Sequence, residues 1–452
     1  MRLDSEEEGI LNGREGAAAK KAMELLVAIG EVMGAERMVR VTSAQVSGVS
    51  YGNIGEAGLQ FLEDWAENGA RVRVPTTLNP CGMDLERWQE MGVDGSYRAK
   101  QLRIIEAFRR MGVSTTCTCT PYLVGNLPKE GDHIAWSESS AVCYANSVIG
   151  ARTNREGGPS ALAAAIVGRT PMYGLHLDAN RAPTVIIDVQ AEVRTRHEFS
   201  LLGYAVGRRI GSGVPLFEGI RRADRDALKI MSAALAASGG IAMFHIPGVT
   251  PEARRWQCRG LERVAVGTRD LEDCREALTC DGEPDLCCIG CPHCSPEELE
   301  EVARLVKGRR VAHGKALWIW TSKKVREEGE ALVTGQGISF FGGVDPDTGK
   351  IREGGHELLG KDVTNRVLVF PKGKGSTVGS YVIYQLRRNG HAPAAIINVE
   401  TEAIIAAGCI LAEIPLVDRL DADPIAEIRS GDWVEVDGTT GFVRVKRRVP
   451  RH

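Results

Sequence analysis

Apolar residues recur at helical spacing in several segments of the chain, and short apolar runs follow them. In the segment from Lys20 to Met33, positions 22, 26, 29 and 33 are apolar, and Met38 to Ser43 then has the pattern of a strand. Lys100 to Met111 repeats the helical pattern. Asp226 to Ser238 does so again, and the apolar run from Ile241 to Ile246 predicts another strand. This alternation predicts an α/β fold with a mainly parallel sheet.

The pattern changes at residues 327–337, where we expect a second, smaller domain to begin. In it, Arg366 to Phe370 predicts a strand and Val378 to Leu386 predicts a helix. Two further predicted strands, Trp433 to Val436 and Gly441 to Val445, are joined by a polar turn that indicates a hairpin. The predicted domains are residues 1–328 and 329–452.

Charge and composition narrow the classes of function. Lys plus Arg number 56 and Asp plus Glu 59, a formal charge of −3 without the excess of cations that nucleic-acid binding requires. The longest strictly apolar run, Ala403 to Ala412, is too short for a transmembrane helix, and the N-terminus has no apolar signal core. We therefore expect a cytoplasmic protein without nucleic-acid or membrane partners. In that compartment, 12 cysteines favour free, catalytic or metal-bound thiols over disulfides.

Two cysteine-containing segments could carry chemistry. Cys117 and Cys119 precede a proline that places both thiols in a rigid loop, and the alternative is that small buried residues pack a strand. Cys291 and Cys294 form a C-x-x-C pair that we expect in a loop ahead of a helix, with Ser295 as its N-cap. That spacing is typical of zinc, iron–sulfur or redox dithiol sites. No second pair follows at zinc-finger spacing, which disfavours structural zinc.

Basic residues beside glycines are candidate anion ligands. Arg152 and Arg155 lie next to two glycines and could clamp a carboxylate or phosphate, and a solvated loop is the alternative. Lys372 and Lys374 lie in a Gly-rich strand-to-helix loop whose backbone N–H groups could bind an anion. Ser376, near the start of the helix, is either a simple N-cap or a reactive hydroxyl.

Taken together, these stretches resemble the aconitase X family over almost the whole chain. The motifs of its large catalytic part are Ser47-Gly48-Val49-Ser50-Tyr51, Pro75-Thr76-Thr77-Leu78-Asn79-Pro80, Cys117-Thr118-Cys119-Thr120-Pro121-Tyr122, Ala151-Arg152-Thr153-Asn154-Arg155 and Ile289-Gly290-Cys291-Pro292-His293. The motifs of its small part are Phe341-Gly342-Gly343-Val344-Asp345-Pro346 and Gly373-Lys374-Gly375-Ser376-Thr377-Val378-Gly379-Ser380-Tyr381. The resemblance implies a multi-layer aconitase-like catalytic part and a small swivelling β/α domain. Family members of this type are usually two chains, so we expect a fusion that needs no separate small subunit.

The resemblance implies a hydro-lyase that removes water from a small anionic hydroxy acid. The stretches Gly157-Gly158-Pro159-Ser160-Ala161-Leu162 and Tyr173-Gly174-Leu175-His176-Leu177 are most similar to those of family members that convert (R)-5-phosphomevalonate into trans-anhydromevalonate 5-phosphate in an archaeal-type mevalonate pathway. Dehydration of cis-3-hydroxy-L-proline is one alternative. A non-catalytic family member without a cluster is another.

The resemblance also implies an iron–sulfur cluster, of the 4Fe–4S type, held by three cysteines with one iron open as a Lewis acid. Cys119 and Cys291 match two of its ligands, and Ser376 matches the base that removes the proton next to the carboxylate. The residues that match substrate-site positions are Gly48, Val49, Ser50, Asn79, Pro80, Glu138 and Ser139. On grounds of charge we add Arg152, Arg155, Lys372 and Lys374.

One feature departs from the family pattern. The third cysteine of the family lies in an Asp-Thr-Cys motif, which is absent from this sequence. The chain passes from residues 321–325 almost directly into residues 329–333, which resemble the start of the small part. We therefore expect the end of the large part and the very beginning of the small part to be missing. Cys294, three residues from Cys291, or another cysteine is the expected replacement ligand.

Overall fold

The computed structural model describes residues 1–256, 260–322, 327–376, 378–412, 414–438 and 441–446. The chain divides into two compact units, Met1–Ser322 and Lys323–His452. Within the described ranges, no helix is both long enough and apolar enough to cross a membrane.

Short strands alternate with longer helices throughout the first unit. Its helices are α1 (Ser5–Leu11), α2 (Ala17–Val32), α3 (Tyr51–Glu67), α4 (Gly95–Arg110), α5 (Ser139–Tyr144), α6 (Gly158–Val167), α7 (Arg196–Ile210), α8 (Arg225–Gly239), α9 (Thr268–Leu278) and α10 (Pro296–Val306). Its strands are β1 (Met38–Arg40), β2 (Ala44–Val46), β3 (Thr76–Leu78), β4 (Ala135–Trp136), β5 (Arg169–Pro171), β6 (Val185–Val189), β7 (Pro215–Glu218), β8 (Arg263–Val266), β9 (Leu286–Cys294) and β10 (Ala316–Thr321).

Most of these strands pair in parallel. The order is β3-β2-β4 in one three-stranded sheet and β7-β6-β8 in another, and β9 pairs with β10, all in parallel. Only β1 and β5, among the described strands of this unit, pair antiparallel. The parallel pairs confirm the α/β prediction.

Helix α6 packs directly against the β3-β2-β4 sheet and against α2. Its residues from Ser160 to Val167 are all buried, and four of them are alanine, so the helix can approach its neighbours closely. At its beginning, a Cβ on Gly158 would lie 2.5 Å from the carbonyl oxygen of Ser47. Glycine is therefore required at this position, because any side chain would displace the turn that follows β2.

The second unit is built on one mixed sheet. Its strands are β11 (Glu327–Val333), β12 (Val367–Phe370), β13 (Ala395–Asn398), β14 (Leu416–Val417), β15 (Trp433–Asp437) and β16 (Phe442–Lys446), in the order β14-β13-β12-β11-β15-β16. Strands β11 to β14 run parallel, whereas β15 and β16 are antiparallel to their neighbours. The helices of this unit are α11 (Gly379–Arg388), α12 (Ala403–Ala412) and α13 (Pro424–Glu427).

The structure confirms most of the predicted elements in the long periodic segments. Helices α2, α4, α8 and α11 and strands β12, β15 and β16 lie where the sequence pattern predicts them. The strand predicted from Ile241 to Ile246 is wrong. That stretch is buried and extended but pairs only through His245, whose backbone bonds to β7, so burial rather than strand pairing explains its apolar residues. The predicted strand Met38–Ser43 is confirmed only for its first three residues.

Candidate active site

Three chain segments follow the parallel strands of the β3-β2-β4 sheet at one edge. Residues 47–50 follow β2, Asn79 and Pro80 follow β3, and residues 137–139 follow β4. We call this the carboxyl edge. The Asn79 N–H donates to the Val46 carbonyl at 2.9 Å, and the Ser47 N–H donates to the Ser137 hydroxyl at 2.6 Å. The structure therefore brings the sequence-predicted substrate positions of all three segments together, as expected where parallel strands end.

A chain of side-chain hydrogen bonds crosses the carboxyl edge. The Gln45 Nε2 donates to Asn79 Oδ1 at 3.1 Å, and Asn79 Nδ2 donates to a carboxylate oxygen of Glu138 at 2.5 Å. The other carboxylate oxygen of Glu138 accepts from the Ser140 hydroxyl at 3.0 Å. Asn79 and Glu138 are half-buried, whereas Gln45 is fully buried. Gln45 was not predicted as a site residue, although a lone amide between the apolar residues of a buried strand was a signal for it.

Side chains of helix α4 hold the turn after β2 by hydrogen bonds. The Gln101 Nε2 donates to the Val49 carbonyl at 2.8 Å, and its Oε1 accepts from the Tyr51 N–H at 2.8 Å. One turn earlier on α4, the Tyr97 hydroxyl lies 3.1 Å from the Ser50 hydroxyl. Gln101 and Tyr97 were not predicted, because their role depends on how α4 packs beside this turn.

Cys119 and Cys291 lie near each other and near Glu138. The segment that carries Cys119 continues from the carboxyl edge, since the Thr118 N–H donates to the Leu78 carbonyl at 2.9 Å. The pKa of Cys119 is raised to about 12, chiefly by burial; the His293 N–H lowers this pKa in part, and the Glu138 carboxylate and Cys291 add to the increase. The pKa of Cys291 is also raised, first by burial and then by Glu138. Both thiols are therefore protonated in the absence of a cation.

His293 connects the two cysteine segments. Its backbone N–H donates to Cys119 Sγ at 3.1 Å, and its ring Nδ1 lies 3.0 Å from the Thr118 hydroxyl. Burial, with the Lys229 ammonium as the next cause, lowers the pKa of His293 to about 4, so the ring is neutral near pH 7. This residue was quoted in a motif but not predicted as a site residue.

Cys294 faces a different set of charges. Cys291 and Cys294 lie at the end of strand β9, not in the predicted loop, and Ser295 caps α10 with a capping box as predicted. Burial raises the pKa of Cys294 to about 11, and its next strongest electrostatic neighbours are Glu298, Lys229 and Asp226. Cys119 and Cys291 are not among these neighbours.

Three cysteines do not come together in the described part of the chain. No group of three or more His, Cys, Asp or Glu side chains there could hold a metal ion. A cluster held by Cys119, Cys291 and Cys294 therefore does not fit this arrangement, and the expectation that Cys294 supplies the third ligand is not supported. Cys258 lies outside the described residues.

The two predicted arginines have other partners. Arg152 donates to Asp178 at 2.5 Å and pairs through its backbone with residues that precede β4, so it lies toward the opposite end of the sheet from Glu138. Arg155 is exposed and donates to the Gly240 carbonyl at 3.1 Å. Because Arg152 pairs with Asp178 toward the opposite end of the sheet, the two arginines do not form a joint anion clamp at the carboxyl edge.

In the second unit, Ser376 belongs to a tight Gly-rich loop. The Val378 N–H donates to the Ser376 hydroxyl at 3.3 Å. The Lys374 ammonium pairs with a Glu353 carboxylate at 2.5 Å, so its charge is shared with that residue. Gly375 has φ +94°, and a Cβ there would lie 2.4 Å from the Ser339 hydroxyl, which explains the glycine.

Comparison with known proteins identifies the family. Residues 1–179 match the aconitase X first domain, 183–276 its second domain, 284–344 its third domain and 320–445 its swivel domain. The chain belongs to the aconitase X family. The third-domain and swivel matches share residues 320–344, which include the junction predicted from the sequence.

This single chain is similar both to large subunits and to small subunits of phosphomevalonate dehydratases. The phosphomevalonate dehydratase large subunit of Methanothermobacter thermautotrophicus is 47% identical over 80% of this chain and 91% of its own length. The small subunit of Methanocella arvoryzae phosphomevalonate dehydratase is 52% identical over 31% of this chain and 98% of its own length. That coverage leaves little room for the loss predicted at the beginning of the small part.

More distant and structural relatives agree with this family. A cis-3-hydroxy-L-proline dehydratase of Pseudomonas aeruginosa is 38% identical over 73% of this chain and 58% of its own length. The crystal structure of Thermococcus kodakaraensis aconitase X in its holo form has 50% identity and a TM-score of 0.68, covering 72% of this chain and 82% of that one. The named relatives are dehydratases, so this chain is a member of a hydro-lyase family with an aconitase-like α/β fold.

The exposure of the thiols predicts which of them react with an alkylating reagent. Cys280, Cys287, Cys288 and Cys291 are exposed, whereas burial raises the pKa of Cys143 and of Cys409 to about 12, as it does for Cys119. Brief iodoacetamide treatment of the folded, metal-free chain at pH 7.5 should label Cys280, Cys287 and Cys288 first, because the thiolate is the nucleophile and the pKa of Cys291 is raised. Peptide mass spectrometry measures this order. Early labelling of Cys119 would contradict the burial of the site.

Proposed function

We propose that this chain dehydrates (R)-5-phosphomevalonate to trans-anhydromevalonate 5-phosphate, within an archaeal-type mevalonate pathway. The observation that carries the proposal is that one chain matches both the large and the small subunits of phosphomevalonate dehydratases, at 47% and 52% identity. The carboxyl edge supports it, because serine hydroxyl groups, an amide and a carboxylate converge there. Such a set suits a small ligand with several oxygen atoms.

The anionic ligand would bind in the turn from Gly48 to Ser50 and beside Asn79, Pro80, Glu138 and Ser139. The Asn79 amide and the hydroxyl groups of this edge can donate to carboxylate or phosphate oxygens. The Glu138 carboxylate can accept from a substrate hydroxyl. We propose that Lys372, which lies close to Ser376 in the sequence, binds an anionic group of the substrate.

Dehydration requires a base for the proton on the carbon next to the carboxylate, and hydroxide leaves from the next carbon. We propose Ser376 as this base. Its oxygen accepts the Val378 N–H, which stabilises negative charge on that oxygen. Lys374, which the sequence predicted as an anion ligand, is less suited to hold an anionic group of the substrate, because Glu353 pairs with it.

The aconitase-like family suggests an iron–sulfur cofactor. We propose Cys119 and Cys291 as ligands, and the resemblance favours the 4Fe–4S type. The described residues offer two converging cysteines and no third. This observation favours a second candidate function, a family member that binds the ligand without turnover.

The proposal is tested on the full chain after anaerobic reconstitution with iron and sulfide. Iron and sulfide are counted, and binding of 5-phosphomevalonate and of cis-3-hydroxy-L-proline is measured by calorimetry beside turnover of each. We expect 5-phosphomevalonate to bind and to yield trans-anhydromevalonate 5-phosphate. If 5-phosphomevalonate binds but the chain takes up no iron and shows no turnover, the second candidate function is established. If the chain turns over cis-3-hydroxy-L-proline and not 5-phosphomevalonate, the proposed substrate is wrong.

Replacing the proposed base should separate chemistry from binding. Ser376→Ala is expected to lower kcat by about 10²- to 10⁴-fold, the usual contribution of a positioned base, with calorimetric affinity for 5-phosphomevalonate unchanged. Ser430→Ala is the control, since the Ser430 hydroxyl accepts the Val333 N–H at 2.9 Å and donates to the Val333 carbonyl within the same unit. Equal kcat values for Ser376→Ala and Ser430→Ala would refute the role of Ser376.

A further inference from the structure

The buried amide of Gln45 has a defined orientation. Gln45 is fully buried in β2, and its Oε1 lies 2.9 Å from the backbone nitrogen of Glu138. A backbone N–H can only donate, so the Gln45 atom that faces it must be the oxygen. The Gln45 nitrogen then faces Asn79 at 3.1 Å.

This orientation fixes Asn79 in turn. The Asn79 atom that faces the Gln45 nitrogen must be the amide oxygen, which leaves the amide nitrogen directed at the Glu138 carboxylate, 2.5 Å away. A carboxylate can only accept, so both ends of the chain agree. The network has one arrangement in which every donor meets an acceptor.

Gln45 therefore holds both partners of the network at once. It bonds to the backbone of Glu138 and to the side chain of Asn79, from the central strand of the sheet. A flipped Asn79 would direct its oxygen at the Glu138 carboxylate and leave two acceptors facing each other. No solvent reaches Gln45, so it does not itself contact a ligand at the carboxyl edge.

We propose that Gln45 is a positioning residue of this site, one that sets the Asn79 amide with its nitrogen toward Glu138 and thereby fixes the donor and acceptor pattern that the ligand meets. The proposal rests on the proposed function for the identity of the ligand, though not for the orientation of Asn79. Gln101, the other fully buried glutamine beside this edge, differs because it bonds only to backbone atoms.

The test variant is Gln45→Glu, which has nearly the same shape but replaces the donor that faces Asn79 by an acceptor. Affinity of the full chain for 5-phosphomevalonate, measured by calorimetry, should fall about 10- to 100-fold, as for a lost hydrogen bond in a charged network. Gln45→Met has a side chain of similar length without hydrogen-bonding groups, and it should also lower the affinity for 5-phosphomevalonate. It replaces Gln45→Glu in the test if Gln45→Glu does not fold.

A double-mutant cycle separates positioning from a general structural role. In an Asn79→Ala background, Gln45→Glu should weaken affinity by less than about threefold, because its effect passes through Asn79. Asn126→Ala is the matched control. Asn126 is a buried amide that bonds to the Ala44 carbonyl and the Thr77 hydroxyl, each at 3.0 Å, on the same two strands. Asn126→Ala should lower stability and leave affinity within about twofold. Equal effects of Gln45→Glu in the two backgrounds would overturn the proposal.

A second readout does not depend on the ligand. The side-chain amide resonance of Asn79, assigned in ¹⁵N-labelled protein by its loss in Asn79→Ala, should shift in Gln45→Glu and not in Asn126→Ala. If the wild-type chain binds neither 5-phosphomevalonate nor cis-3-hydroxy-L-proline, the proposed function fails and this resonance decides the inference alone. An Asn79 resonance unchanged in Gln45→Glu would overturn it.

Discussion

Buried polar groups must find partners, and this constraint shapes the candidate site. Strands β2, β3 and β4 have only two or three residues each, so the sheet ends soon and its last carbonyl groups need donors from the segments that follow. The N–H groups of Asn79, Thr118 and Ser137 supply them. Each loop is thereby held by the end of a strand, and the side chains it carries are brought together at one edge.

The same constraint couples this edge to the cysteine segment of β9. The Lys229 ammonium is buried, pairs with Glu298 and with Asp226 at 3.6 Å, and donates to the His293 carbonyl at 3.0 Å. His293 in turn bonds to Cys119 and Thr118. A buried lysine without these partners would be costly, so α8 and β9 are fixed relative to each other.

The sequence was sufficient to group Asn79, Glu138 and the turn at Gly48 as candidate substrate positions, because they belong to contiguous motifs that resemble those of a known family. It was not sufficient for Gln45, Gln101 or His293, whose importance depends on contacts between residues far apart in sequence. Arg152 shows the opposite error, since a basic residue beside glycines suggested an anion site, whereas Asp178 pairs with it. Local charge is visible in a sequence, but the face on which it lies is set by packing.

The proposed function requires the ligand to bind at the carboxyl edge. Hydrogen–deuterium exchange of the full chain, with and without saturating 5-phosphomevalonate, tests it most directly. We expect slower exchange in residues 47–51, 79–82 and 137–140, since ordered loops open less often once a ligand holds them. Protection confined to other parts of the chain, such as residues 152–155, would contradict the claim.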